Sequence, residues 1–124
     1  MSDSIIYEKS YLFALDIIKL YKYLSVEKRE FILSKQLLRA ATSIGANVNE
    51  AISSESKRDF VPKLGIALKQ ARETSYWLNL LKDSDYLPNE EFILLNDSCT
   101  ALIKILSSII LTTKEKYFKK PMNP

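Results

Sequence analysis

Apolar side chains recur at steps of three, four or seven residues through four long stretches of this 124-residue chain, which is the spacing of one helix face. Only two glycines and four prolines occur, and no segment shows sustained alternation of apolar and polar residues between turn signals. The pattern therefore predicts an all-α fold. Because long amphipathic helices joined by short loops pack as antiparallel neighbours, we expect an up-down-up-down four-helix bundle.

The predicted helices cover residues 4–24, 27–52, 57–83 and 89–118, and residues 1–124 are expected to form one domain. The start of the third helix is open between two caps. With Asp59 as the cap, Pro62 lies in the first turn, where an amide proton has no partner to lose. With Ser56 as the cap, Ser56 and Asp59 form a capping-box-like pair, but Pro62 then kinks the helix.

Both glycines fall inside predicted helices, where glycine is about 1 kcal/mol less stable than alanine. A close approach of another helix would compensate for this cost at Gly45 and Gly65. The second helix is also rich in small residues, so it can be approached on more sides than one bundle core requires, which favours an oligomer. These residues are Ala40, Ala41, Gly45, Ala46 and Ala51.

The chain contains no histidine, which removes the commonest general base and the commonest metal ligand. The Glu-x-x-His motif of di-iron bundles and the glycine-rich strings that cradle phosphates are also absent. We therefore expect a protein that is not an enzyme and has no catalytic residues, no metal and no cofactor.

The net charge of +3 is too small to predict nucleic-acid binding by itself. The single cysteine, Cys99, lies in an apolar helical context and is expected to be a buried structural thiol. The N-terminal stretch lacks the features of a signal peptide, and the apolar run 101–111 is too short to span a bilayer and contains Lys104. These features predict a cytoplasmic protein with no membrane contact.

A row of polar side chains follows one face of the second helix at steps of three, four, four and three. In one interpretation, Arg39 and Asn47 face a ligand or a phosphate. In the other, which we favour, the row makes hydrogen bonds across a helix or subunit interface, where buried polar groups need partners and fix the register. We call it the polar row: Gln36, Arg39, Ser43, Asn47 and Glu50.

The third helix carries cations and an aromatic residue on the face that contains Gly65. Cations can hold a phosphate backbone and an aromatic ring can stack on a base, although a charge row on a helix can also be merely solvated. Repetition around a symmetric oligomer would join such rows into a continuous basic surface. The predicted nucleic-acid-binding residues are Arg58, Lys63, Lys69, Arg72 and Tyr76, with Lys116, Lys119 and Lys120 as a possible extension.

The segment 36–87 resembles the small bacterial four-helix-bundle proteins named for intervening sequences in 23S ribosomal RNA genes. Their hallmark string, roughly Q-x-x-R-(A/S)-x-x-S-I-x-A-N-(I/V)-x-E, is matched by "QLLRAATSIGANVNE", and the similarity continues in "KLGIALKQARETSYWL". Gly45 stands where many relatives have proline, and Ala51 where many have glycine. These differences are typical of a subgroup within the family.

The family is also similar to the accessory protein of diversity-generating retroelements, which forms a pentameric barrel and works with reverse transcriptase and RNA. The resemblance thus implies a homo-oligomer, a pentamer, with a nucleic-acid role and with a reverse transcriptase or another protein as a further partner. Together, resemblance and helix spacing predict a non-enzymatic oligomeric bundle that binds RNA or DNA nonspecifically. The alternative is a protein–protein interaction scaffold with no nucleic-acid role.

Overall fold

The computed structural model describes residues 2–118, which form four α-helices and no strand: α1 (Ser2–Val26), α2 (Leu33–Ile52), α3 (Lys57–Asp83) and α4 (Asn89–Tyr117). Each helix packs against the next in the chain, and α1 also meets α4 through a much smaller contact. The predicted all-α four-helix bundle is confirmed.

One hydrophobic core runs along the bundle and receives side chains from every helix. Ile17 of α1, Ile44 of α2, Leu78 of α3 and Leu106 of α4 are fully buried in it. Leu87, from the loop between α3 and α4, closes one end. The apolar stripes of the sequence are therefore the inner faces of the helices, since burial of apolar area is the main favourable term in folding.

Helix α2 begins at Leu33, so the prediction of a helix from residue 27 is wrong. Arg29 adopts a left-handed backbone conformation (φ 56°), which turns the chain back so that the amide of Glu30 donates to the carbonyl of Leu24 at 2.9 Å. The buried Glu30 carboxylate then accepts hydrogen bonds from the amides of Ile32, Leu33 and Ser34 at 3.1, 3.0 and 2.7 Å. These amides lack partners within a helix that starts here, so a glutamate outside the helix caps it.

Helix α3 uses the earlier of its two possible caps. The Ser56 side chain accepts a hydrogen bond from the amide of Asp59 at 3.3 Å, and Pro62 lies inside the helix. Helix α3 ends at Asp83, and Asp85 in the following loop is a second non-glycine residue with positive φ (68°), after which the amide of Leu87 donates to the carbonyl of Leu81 at 3.1 Å. The short α3–α4 loop is thereby fixed by backbone bonds.

The two glycines differ in their surroundings. A Cβ atom at Gly45 would lie 3.5 Å from the Ser10 hydroxyl of α1, which is ordinary van der Waals contact. A Cβ atom at Gly65 would meet nothing within 4 Å, so the close helix approach expected there is not found within residues 2–118. Ala40, Ala41 and Ala51 are buried inside the chain itself and give no separate argument for an oligomer.

Candidate nucleic-acid interface

The predicted cations of α3 lie on the side of the helix that points away from the core. Phe60, Leu64 and the other buried residues of α3 occupy one face, and at 100° per residue the opposite face holds the exposed cations. We call this surface the basic face of α3; it consists of Arg58, Lys69, Arg72 and Tyr76, with Gly65 between Arg58 and Lys69.

The cations of the basic face are not balanced by ion pairs. Within residues 2–118 the salt bridges join Arg39 to Glu73, Lys63 to Glu50 at 2.8 Å, and Lys82 to Asp83 at 3.6 Å. None of them includes Arg58, Lys69 or Arg72. The structure thus brings three predicted cations together on one face and places the fourth, Lys63, beside α2 with its charge already paired.

Tyr76 ends the basic face, and its side chain is 58% exposed. Its ring meets the neighbouring Trp77 ring edge-on, with centroids 5.1 Å apart and an interplanar angle of 70°. The Trp77 indole N–H in turn donates to the Glu73 carboxylate at 2.9 Å. Trp77 is thus held by this bond, and the adjacent Tyr76 ring contacts it while most of Tyr76 remains open to solvent.

The Glu73 carboxylate links this aromatic pair to α2. The hydrogen bond from Trp77 lowers the pKa of Glu73, partial burial opposes this shift, and the bond and charge of Arg39 with the charge of Lys69 lower it further. Glu73 is therefore ionised at neutral pH and partly offsets the charge of Lys69. The remaining positive charge of the basic face comes mainly from Arg58 and Arg72.

Further cations gather where α3 begins and α4 ends. Arg58 and Lys114 line a cleft of about 540 Å³ together with Phe118. Lys57 lies over the Phe60 ring at 4.7 Å, and Lys116 lies over the Tyr117 ring at 5.3 Å. Lys114 was missed at the sequence level because a lysine in the last turn of a helix also has a purely structural explanation in the helix dipole, and Lys57 was missed because its position beside the end of α4 depends on helix packing. Lys119 and Lys120 lie outside the described residues.

The N-terminal part of the polar row, Gln36 and Arg39, contacts α3 through Arg39. Arg39 forms an ion pair with Glu73 and donates to the side-chain oxygens of Gln36, at 3.2 and 3.3 Å, and Gln70, at 3.3 Å. The Arg39 side chain is 49% exposed. The contact is thus a partly hydrated link between α2 and α3.

The C-terminal part of the polar row, Ser43, Asn47 and Glu50, also has hydrogen-bond or ion-pair partners within the chain. The Ser43 hydroxyl donates to the Arg39 carbonyl at 2.7 Å, and the Asn47 amide donates to the Ser43 carbonyl at 2.8 Å. Glu50 completes the row through its pair with Lys63 of α3. Only Arg39 and Glu50 therefore reach α3, whereas the hydrogen bonds of Ser43 and Asn47 stay within α2, which differs from the predicted row of bonds across an interface.

The buried polar side chains of the described part of the chain are paired within it. No buried side-chain nitrogen or oxygen of residues 2–118 lacks a hydrogen-bond partner, and no group of three or more potential metal ligands lies together there. Burial raises the pKa of the Cys99 thiol to about 12, and this thiol donates to the Ala71 carbonyl at 3.1 Å. A neutral, buried thiol is a poor nucleophile and a poor metal ligand.

A groove runs between α1 and α4, which have the smallest contact of the helix pairs that touch. It contains two cavities, of about 380 and 220 Å³, which both include Asp16. Leu94 lines one of them and is 69% exposed, and Leu12 lines the other and is 51% exposed. We call this surface the α1–α4 groove; it combines an apolar floor with charged edges.

Helix α4 is apolar enough for its exposure to be notable. By length and composition alone it could cross a membrane, since its most apolar 18-residue stretch has a mean hydropathy of 1.6, with 17% of that stretch buried. Core helices of soluble bundles pass the same test, so the composition of α4 assigns no membrane contact. The small buried fraction does show that much apolar surface of α4 is exposed in the single chain.

Comparison with known proteins relates this fold to one family. Residues 2–108 match the family model described as 23S rRNA-intervening sequence protein. The chain is similar to a solved structure from Bacteroides thetaiotaomicron, described as a protein with unknown function from the S23 ribosomal protein family. The two share 48% sequence identity with a TM-score of 0.88, over 90% of this chain and 99% of that one. No curated protein matches the chain.

Proposed function

Since this chain belongs to the 23S rRNA-intervening sequence protein family, we propose that it is a non-enzymatic, self-associating helical bundle that binds RNA or DNA nonspecifically. The family resemblance noted in the sequence is confirmed. The observation that carries the proposed function is the basic face of α3, whose three cations point to solvent and have no ion-pair partner within residues 2–118.

The proposed binding is electrostatic and therefore indifferent to sequence. Cations on a rigid helix neutralise phosphates and release counterions, and this contribution does not depend on the bases. Three contacts per chain give only weak binding. Several copies in one assembly would act together on one strand, so that the effective affinity exceeds that of each chain.

A salt titration tests this function. With a labelled single-stranded RNA, we expect the logarithm of the binding constant to fall against the logarithm of salt concentration with a slope of about −2 per chain, because three contacts each contribute about 0.7. Two RNAs of equal length and unrelated sequence should give the same slope and similar affinity. Binding that is absent at low salt, or that does not respond to salt, would contradict the proposal and favour the protein-scaffold alternative.

The α1–α4 groove supports the proposed self-association. Its exposed leucines lie beside charged residues such as Asp16 and Lys19, and an apolar centre with a polar rim is the usual anatomy of a protein interface. Contiguous exposed apolar surface of this kind is uncommon on proteins that remain monomeric. We propose that another copy of the chain covers the groove in a closed ring, a pentamer.

Charge placed in the groove should dissociate the assembly. We expect the wild type to sediment as an oligomer of the 14.3 kDa chain and the double variant Leu12→Glu, Leu94→Glu to sediment as a monomer. The matched control is Leu15→Glu with Ile93→Glu, because these leucine and isoleucine residues are exposed on the same helices but do not line the groove. A monomeric wild type, or equal effects of both double variants, would count against the groove as the interface.

A further inference from the structure

Gly65 lies on the basic face of α3, and residues 2–118 give no steric reason for a glycine there. Glycine destabilises a helix interior relative to alanine, and a Cβ atom at this position would meet nothing within 4 Å. Gly45 differs, since a Cβ atom there would lie 3.5 Å from the Ser10 hydroxyl of α1. The missing side chain at Gly65 therefore leaves a shallow depression that faces solvent.

Cations flank this depression on both sides. At 1.5 Å of rise per residue, Lys69 lies about 6 Å further along the helix axis, and Arg58 and Arg72 lie about 10 Å away in opposite directions. All three are exposed. A polyanion that follows the helix would thus be held by charge at both ends of a stretch in which nothing projects from the backbone.

We infer that the sugar–phosphate backbone of a single-stranded nucleic acid passes over Gly65, between Arg58 and the Lys69–Arg72 pair, and that one base stacks on Tyr76. This inference rests on the proposed nucleic-acid binding and adds the kind of strand and its path. Glycine permits the closest approach of a ligand to a helix backbone, and the flanking charges identify that ligand as an anion.

The position of Tyr76 favours a single strand over a duplex. Tyr76 is 58% exposed and its ring contacts the Trp77 ring at an angle of 70°, so an aromatic surface is open to solvent beside the cations, as in sites that stack unpaired bases. Bases within a duplex are already stacked and do not offer a free face, whereas unpaired bases do. Tyr76 begins about 16 Å beyond Gly65 along the axis, so one strand can reach both.

Substitutions at Gly65 test the path of the strand. We expect Gly65→Ala to raise the melting temperature by a few degrees, because alanine stabilises the helix and meets no neighbour. We expect Gly65→Leu to weaken single-strand RNA binding roughly tenfold, since the strand is displaced from at least one charged contact. Tyr76→Ala should weaken binding by a similar factor of about ten through the lost stacking.

Gly45→Ala is the control for Gly65→Ala, because it makes the same substitution at a helix position that faces α1. It should leave RNA binding unchanged. If the wild type binds RNA and Gly65→Leu binds it equally tightly, the path over Gly65 is overturned while the proposed function stays intact. Wild-type protein that binds no RNA would instead remove the proposed function. Loss of the oligomer in Gly65→Leu would overturn the inference too, since a second copy of the chain would then cover Gly65.

Discussion

Reversing the charge of Arg58, Lys69 and Arg72 together, each to Glu, is expected to reduce RNA binding at low salt below detection. Each charged contact to a phosphate contributes about 1.5 kcal/mol or more, so the loss of three corresponds to about a thousandfold, before the new repulsion is counted. The three side chains are exposed and belong to no salt bridge within residues 2–118. The free energy of unfolding should therefore change by no more than about 0.5 kcal/mol.

A second triple variant separates the basic face from net charge. Lys22, Lys35 and Lys104 are exposed lysines on three other helices, and their reversal to Glu changes the formal net charge by the same six units, from +3 to −3. We expect this variant to retain most of its RNA binding in a filter-binding or anisotropy assay. Equal losses in both triple variants would show that only the overall charge matters, and unchanged binding in the first variant would place the interface elsewhere.

Glu30→Ala is expected to lower the free energy of unfolding by about 2 kcal/mol, the upper part of the range for helix caps. The reason is the loss of the acceptor for the amides of Ile32, Leu33 and Ser34, the last of which is buried. Urea denaturation followed by circular dichroism measures this change. Glu55→Ala, at an exposed glutamate in the α2–α3 loop, is the matched control and should cost little.

The same carboxylate predicts a dependence of stability on pH. Burial of Glu30 opposes its ionisation, but the hydrogen bonds from Leu33, Ser34 and Ile32 outweigh burial and lower the pKa below its usual 4.5. Because the folded-state pKa is lowered, the contribution is fully present above the unfolded value and is lost as pH falls through the folded value. Wild type and Glu30→Gln should therefore approach each other in stability as the pH falls below 4.5. A difference that stays constant down to acid pH would contradict this role.

The number and order of the helices could be predicted from the sequence because the apolar stripes are long and regular. The start of α2 could not. Arg29 occupies a left-handed position that usually signals itself through glycine or asparagine, and Glu30 caps the helix from outside, where sequence rules look for a serine or an aspartate at the boundary itself. Both devices depend on a tertiary arrangement in which Glu30 is buried.

The candidate site could likewise be predicted only in part from the sequence. Helical spacing placed Arg58, Lys69, Arg72 and Tyr76 on one face, which needs only the geometry of a single helix. The pairing of Lys63 with Glu50 depends instead on how α3 lies against α2, and the gathering of Lys57 and Lys114 depends on where α3 begins and α4 ends. A single helix carries no information about its neighbours' charges.

The weak contact between α1 and α4 has a consequence for how the chain folds. Consecutive helices are joined by loops of six, four and five residues, and nearly all contacts between helices connect neighbours in the chain. Such local topology has a low contact order and is typical of fast folding, because little loop-closure entropy is lost before contacts form. The α1–α4 contact is the one that joins the two ends of the sequence, and it contributes least. We therefore expect each chain to complete most of its own structure before it meets a partner, with the edge at which we place the partner closing last.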